Sequence, residues 1–350
     1  MDIGAEKCLL GADLTNTNYT LKTEFEMRFI IYGAGGVGGT IGAELFLAGE
    51  QVVLIARGDH LKAIQANGLR YETPRRQESL AIPAVGHPGD IAFTEGDVVI
   101  LTMKAQHTLG ALEDLRAAAG DRIPVICCQN GVANEAMALR RFRHVYAMAV
   151  YLPGESLEPG VVRCHSANKI GILDAGVYPS GVDDLIAGVA ERLEAANIVS
   201  VPTADTMAWK YCKLVLNTSN AIDAACKPDI DTKPLRERLH AEAFACYDAA
   251  GISYYRLDEM RERRGDLMKN GKINGAGRAG GSSWQSLQNG RPDNEADFLN
   301  GEIVLLGRLH GVPTPANAAM QNLMTRMSRD GTPPRSYDMA DIDALIAAEE

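Results

Sequence analysis

The sequence predicts an open, parallel, doubly wound α/β sheet followed by an all-helical domain, and three observations carry that expectation. Short apolar runs alternate with amphipathic helical patterns from Arg28 onward, as in a parallel sheet with crossover helices. The first run, RFIIYG, breaks into Gly33-Ala34-Gly35-Gly36-Val37-Gly38 where a helix opens. Beyond Asp205 the strands stop and only long helical patterns remain. A chain of 350 residues, 46% hydrophobic and 23% charged, suits two globular domains of roughly 150 residues each.

From the amino end, RFIIYG (28–33) is the first strand, and a helix runs through Gly49. QVVLIAR (51–57) is the second strand, a helix occupies 59–67, and a polar, hairpin-like stretch reaches Gly86. DVVILTMKA (97–105) and RIPVICCQNG (122–131) are buried strands, each followed by a helical pattern. VYAMAVYLP and VVRCHSANKIGIL extend β-like runs over 145–172, a helix covers 182–196, and IVSVPTAD closes a domain of residues 27–204. The second domain, 205–350, has helical patterns at 206–226, 234–251, 255–269, 293–310 and 315–328. It also holds the glycine-rich NGKINGAGRAGGSS (270–283) and ends in a polar tail after residue 330. That glycine-rich stretch reads as an anion-cradling nest or, more simply, as a mobile loop over a cleft. Residues 1–26 lack sustained periodicity, and Met27 opens MRFIIYG as a chain start would, so they read as a disordered or mis-assigned extension.

Composition excludes several classes. A net charge of −10 and a pI near 5.3 argue against a nucleic-acid binder, whose affinity rests on clustered Lys and Arg; RRFR at 140–143 is too short to reverse this. Seven cysteines occur without a C-x-x-C pair or a Cys/His spacing suited to zinc, so no metal is expected and buried free thiols in a reducing, cytoplasmic compartment are. No apolar run of 18 residues or charged leader suggests a membrane partner.

The glycine turn carries the first chemistry. Gly33 permits a tight turn, Gly35 lets backbone approach a pyrophosphate, and Gly38 lets the helix pack on the strand, while the helix N-terminus attracts phosphate. Arg57, 24 residues after Gly33, ends the second strand where an NAD site usually places an acidic residue. A guanidinium there suits a 2′-phosphate, which favours NADP(H); Asp59 is the rival and reads instead as a helix N-cap. Lys104 and Asn130 end two further strands on the carboxyl side. Lys104 suits the adenosine end of the cofactor or is a solvated strand end, and Asn130 reaches the nicotinamide ribose or the substrate or is part of a turn with Gly131.

WKYCKLVLNTSN (209–220) carries the second. On one helix Lys210, Lys213, Asn217 and Asn220 lie within roughly 80° of one another, opposite Tyr211, Val215, Thr218 and Ile222. Asn is a poor helix former, so its alignment with an ammonium group points to a site.

These residues resemble the ketopantoate reductases (2-dehydropantoate 2-reductases) from Met27 to about residue 330. GAGGVGG, TMKA and QNG follow the family's order, WKYCKLVLN looks like its catalytic-lysine helix, and SSWQSLQNGRPDNEADFLNGEIV keeps its Ser283–Glu295 interval of twelve residues. The resemblance implies a Rossmann-type NADP-binding domain joined to a 6-phosphogluconate-dehydrogenase-like helical domain. It implies NADPH-dependent reduction of ketopantoate for pantothenate and coenzyme A synthesis, with a homodimer left open as the assembly.

It also implies roles. Lys213 would be the proton donor, with Glu295 orienting it beside the cofactor or bonding a substrate hydroxyl. Asn130 would contact nicotinamide ribose and substrate, Asn217, Asn220 and Ser283 the substrate, and Arg57 and Lys104 the 2′-phosphate end. Ser283 taken alone reads as a helix N-cap.

Three departures fall on the substrate side. Asn220 stands seven residues after Lys213 where the family has its Asn at eight, which is Ala221 here. Trp209 precedes Lys213 by four residues rather than two, which makes Lys210 a second candidate acid. KPDIDT (227–232) replaces a further family Asn. The alternatives are a related 2-oxo or 3-hydroxy acid dehydrogenase and a non-catalytic NADP sensor.

Overall fold

The computed structural model describes residues 27–290, 292 and 294–350; the 1–26 extension lies outside them. The first domain runs β1 (Arg28–Tyr32), α1 (Gly36–Leu47), β2 (Gln51–Ile55), α2 (Gly58–Asn67), β3 (Leu69–Thr73), β4 (Arg76–Leu80), β5 (Ala84–Val85), β6 (Asp97–Leu101), α3 (Thr108–Ala119), β7 (Val125–Cys127) and α4 (Asn134–Leu139). It continues through β8 (Val145–Tyr151), β9 (Gly154–Glu155), β10 (Val161–Cys164), β11 (Ile172–Val177) and α5 (Asp184–Ala195).

The main sheet has the order β11-β8-β7-β6-β1-β2-β5 and is parallel except for β11, which runs antiparallel to β8. It is buried on both faces because its strands are apolar throughout. Phe29 and Ile31 point into one core with α1 and α5, while Ile30, between them, points into the other with Leu112 and Leu115 of α3. From β1 the chain first winds outward to β2 and later returns to β6 on the opposite side. The strand order reverses at β1, and its carboxyl end with that of β6 opens the crevice where ligands bind in such sheets.

The polar stretch 69–86 forms the expected hairpin, β3–β4, and also joins β10 and β9 in a second sheet of order β4-β3-β10-β9. That sheet covers α1: Tyr71, fully buried, donates its hydroxyl to Glu44 Oε1 at 2.7 Å, and burial raises the pKa of the Glu44 carboxyl.

The second domain comprises α6 (Thr206–Thr218), α7 (Asn220–Ala225), α8 (Lys233–Ala250), α9 (Leu257–Arg264), α10 (Ser282–Gln288), α11 (Asn300–His310), α12 (Pro315–Asp330) and α13 (Met339–Ala347). The single helix expected over 206–226 breaks at Ser219. The Thr218 carbonyl accepts from Asn300 Nδ2 at 3.1 Å, and the Thr218 hydroxyl bonds back to Val215 O, so the regular ladder is interrupted there. The segment after 330, read as a polar tail, folds back as α13 and buries Ile342 and Ile346. Glu242 from α8 accepts from the backbone N–H groups of Ala316 and Asn317, both at 2.9 Å, placing a carboxylate at the positive end of α12. Val132, just beyond β7, packs with Leu214, Val215 and Leu299 in a core shared by the two domains.

Candidate active site

The glycine turn sits at the carboxyl end of β1, and each glycine answers a different steric demand. Gly33 has φ +109°, and a Cβ there would meet Met103 N at 2.8 Å. At Gly36 a Cβ would meet Glu155 N at 2.7 Å, and at Gly38 it would meet Gly33 O and Thr102 Oγ1, both at 2.3 Å. A Cβ on Gly35 meets nothing within 4 Å: that side of the turn is open. Gly35 is the N-cap of α1, and no side chain caps the helix, so its first N–H groups are available to an anion. This open, uncapped turn fits a pyrophosphate. Ala34 is held from behind, its carbonyl 2.7 Å from His60 Nε2, while Gly160 N–H donates to His60 Nδ1 at 2.9 Å. With Nδ1 accepting, Nε2 carries the ring proton and donates to Ala34.

The second strand, expected to reach Arg57, ends at Ile55, and Arg57 stands two residues beyond it as the exposed N-cap residue of α2. Asp59, expected to cap, instead lies in the first turn and pairs with Lys62 at 2.8 Å on the surface. Arg57 is thus the first charged residue beyond the strand.

At the ends of β6 and β7 the polar residues meet the helical domain. Lys104 donates to Ser286 Oγ on α10, and Glu295 Oε1 accepts from Ala105 N–H at 3.3 Å. Lys213 from α6 donates to Asn130 Oδ1 at 2.7 Å and to Val150 O at the end of β8. Sequence-distant residues therefore converge in the cleft between the domains.

Lys213 is the chemical centre of that cleft. Burial lowers the ammonium from its usual range to about 7, because a desolvated cation prefers its neutral form. The charged neighbours act in both directions, Lys210 and Arg278 lowering it further and Glu295 raising it. Cys128 is also near, but burial pushes its thiol up to about 12, so it is uncharged at neutral pH. The Lys213 ammonium lies 5.1 Å from the Tyr151 ring centroid. Two of its three N–H groups have protein acceptors, which leaves one for a ligand.

Lys210 is no rival. It is 3% exposed, pairs with the fully buried Glu135 at 2.5 Å, and donates to Cys127 O at 3.2 Å and Gln129 O at 3.0 Å. Its task is to hold the end of β7 against α6.

The other members divide. Asn217 is buried and its Oδ1 has no hydrogen-bond partner among the described residues, an acceptor left for a ligand. Ser283 is buried in the first turn of α10, whose N-cap is Gly281, so Ser283 is not the expected cap. Asn220 falls in α7, beyond the helix break, and its Nδ2 donates to Ser282 Oγ at 3.4 Å.

Sequence reading missed the network behind Asn130: Gln129 Nε2 donates to Thr108 Oγ1 at 2.7 Å, Thr108 donates to Asn134 Oδ1 at 2.8 Å, and Asn134 Nδ2 donates to Asn130 O at 3.1 Å. Its one visible signal was the density of amides in QNGVAN.

The chain is similar to known proteins over most of its length. The family described as Ketopantoate reductase PanE/ApbA matches residues 29–176, and Ketopantoate reductase PanE/ApbA C terminal matches residues 205–328. Proteins named 2-dehydropantoate 2-reductase from Mesorhizobium japonicum and Archaeoglobus fulgidus are each 28% identical, over 337 and 300 residues. These spans cover 86% and 85% of this chain and 98% and 96% of theirs. The crystal structure of a PanE/ApbA family ketopantoate reductase from Ralstonia eutropha JMP134 superposes with a TM-score of 0.72 at 28% identity, covering 87% of this chain and 99% of that one. D-mandelate dehydrogenase, solved with NADH and anilino(oxo)acetate, gives a TM-score of 0.74 over the same shares at 19% identity, a likeness of fold.

A dinucleotide turn facing a lysine from a helical second domain is the arrangement of a nicotinamide-dependent oxidoreductase acting on a CH–OH group. More narrowly, this chain belongs to the ketopantoate reductase PanE/ApbA family.

Proposed function

We propose that the chain reduces a 2-oxo acid with NADPH, ketopantoate (2-dehydropantoate) first, giving pantoate for pantothenate and coenzyme A synthesis. The observation that carries this reading is Lys213: an ammonium held by Asn130 and Val150, brought to about 7, with one donor left for a ligand. The reduced nicotinamide, when bound, supplies a hydride to the ketone carbon. Lys213 holds the ketone oxygen and passes it a proton as negative charge develops there. Asn130 fixes the ammonium, and Glu295, anchored on Ala105 N–H, offers a carboxylate beside it. Asn217 and Ser283 present buried polar groups to the carboxylate and hydroxyl of the acid.

The open face at Gly35 and the uncapped start of α1 support a pyrophosphate site, and Arg57, between β2 and α2, supports a 2′-phosphate and hence NADPH over NADH. The contact of Lys104 with Ser286 favours a place for Lys104 where cofactor and helical domain meet over a merely solvated strand end. A non-catalytic NADP sensor has no use for a desolvated lysine in the cleft.

A second reading keeps the chemistry and changes the acid. Asn220 is engaged with Ser282 and Ala221 stands at the family's Asn position, so the substrate's distal end meets a different surface. Steady-state oxidation of NADPH against a panel of 2-oxo acids tests both readings. Ketopantoate should give the highest kcat/KM; another acid ahead of it selects the second reading, and no turnover with any acid rejects both.

A further inference from the structure

Helices α8 and α9 each turn one face toward the same hollow in the helical domain. The lining positions of both helices are spaced i, i+3, i+4, i+7, starting at 233 on α8 and at 257 on α9, which is one side of a helix. With Leu216 of α6 they enclose a cavity of about 340 Å³, inside the ~300–1,000 Å³ range of small-molecule sites. Lys213, Asn217, Ser283 and Glu295 do not line it, so it is separate from the cleft between the domains.

Its floor is apolar, made by the buried Met260 and the half-buried Leu216 and Leu257. Around that floor stand four cations, Lys233, Arg236, Arg261 and Arg264, against one carboxylate, Glu237, in a chain whose net charge is −10. Lys233 pairs loosely with Glu237 at 3.8 Å and Arg236 with Asp223 at 3.9 Å. The side chains of Arg261 and Arg264 have no hydrogen bond or ion pair among the described residues. Arg263, between them, is engaged on the other side of α9, where it donates to Asp174 of the first domain at 2.8 and 3.0 Å. That pair fixes the roll of α9 and keeps Arg261 and Arg264 on the cavity. His240, whose pKa is lowered by burial and by Arg236, is neutral at pH 7 and lies 3.2 Å from Ser219 Oγ.

The basic run 140–143 has no such freedom. Arg140 and Arg141 bond back to Ala136 O at 2.9 Å and Met137 O at 3.2 Å, and Arg143 meets Asp121 at 2.9 Å, so these arginines close the end of α4. Around the cavity, by contrast, like charges gather with little to neutralise them, a repulsion that a bound anion relieves.

We propose that this cavity is a second ligand site, for a small molecule with an apolar body and an anionic head, a phosphate or a carboxylate. The body displaces water from Leu216, Leu257 and Met260, and the head meets Arg261 and Arg264, whose planar forks give charge-assisted bonds. The site stands whichever acid the cleft reduces.

Calorimetric titration of the full chain with octyl phosphate and octanoate tests this, with octanol and inorganic phosphate as probes of each half alone. At least one amphiphile should bind with a Kd below about 1 mM, and each half alone at least about tenfold more weakly. Arg261→Gln and Arg264→Gln should each weaken the amphiphile about tenfold, the scale of one hydrogen bond to a charged group, whereas Arg308→Gln, exposed on α11, should leave it unchanged, as should saturating NADPH. The anion that binds more tightly identifies the head. Failure of both amphiphiles to bind, octanol binding as tightly as they do, equal losses in Arg308→Gln, no loss in either cavity arginine variant, or displacement by NADPH overturns the site. None of these outcomes bears on the reductase reading, which turnover alone decides.

Discussion

The proposal that Lys213 is the proton donor predicts how reduction depends on pH. Burial brings its ammonium from the ordinary lysine range down to about 7, and only the protonated form can donate to the forming alkoxide. The sign is therefore fixed: reduction is supported below pH 7 and lost as pH rises. The protonated share is about one half at pH 7, about one tenth at pH 8 and about one hundredth at pH 9, as for any single titrating group. The rate of oxo acid reduction, read as single-turnover loss of NADPH absorbance at constant ionic strength, should fall about tenfold per unit above pH 7. Oxidation of the hydroxy acid needs the neutral amine and should rise over the same range. Lys213→Ala should lower reduction by at least ~10²-fold and remove this pH limb. A wild-type rate unchanged from pH 7 to pH 9, or a Lys213→Ala variant within about threefold of wild type, would refute Lys213 as the acid.

Two further outcomes follow from neighbouring groups. Arg57→Ala should weaken NADPH binding by about 10–100-fold, the value of a charge-assisted contact, and barely alter NADH binding; equal losses in calorimetric titrations exclude a 2′-phosphate role. Lys210→Met should destabilise the fold by about 3–5 kcal/mol because it leaves Glu135, fully buried, without its cation, whereas Lys210→Met combined with Glu135→Leu should recover most of that loss. Urea unfolding decides this, and a single variant within about 1 kcal/mol of wild type would show that the pair holds nothing.

The sequence by itself determined the doubly wound sheet, the glycine turn and the helical second domain, because these are local. Apolar runs bury a strand on both faces whatever surrounds it, and Gly38 is required by contact with Gly33 in the same βα unit, although Gly33 and Gly36 answer to Met103 and Glu155 from later segments. The motif order marked Lys213, Asn130 and Glu295 as candidates. Only the tertiary structure distinguished Lys213 from Lys210, three residues apart on one helix: one faces the cleft and Asn130, the other meets Glu135 behind β7. The break at Ser219 was equally hidden, since its cause, Asn300, lies 82 residues from Thr218. So was the course of the glycine-rich stretch, which Gly271 ties to His165 of the first domain and Ser282 to Asn220 of the second. Periodicity reports which way a side chain points on its own element. What it meets there depends on elements far away in the chain, and for a site built between two domains that meeting decides the chemistry.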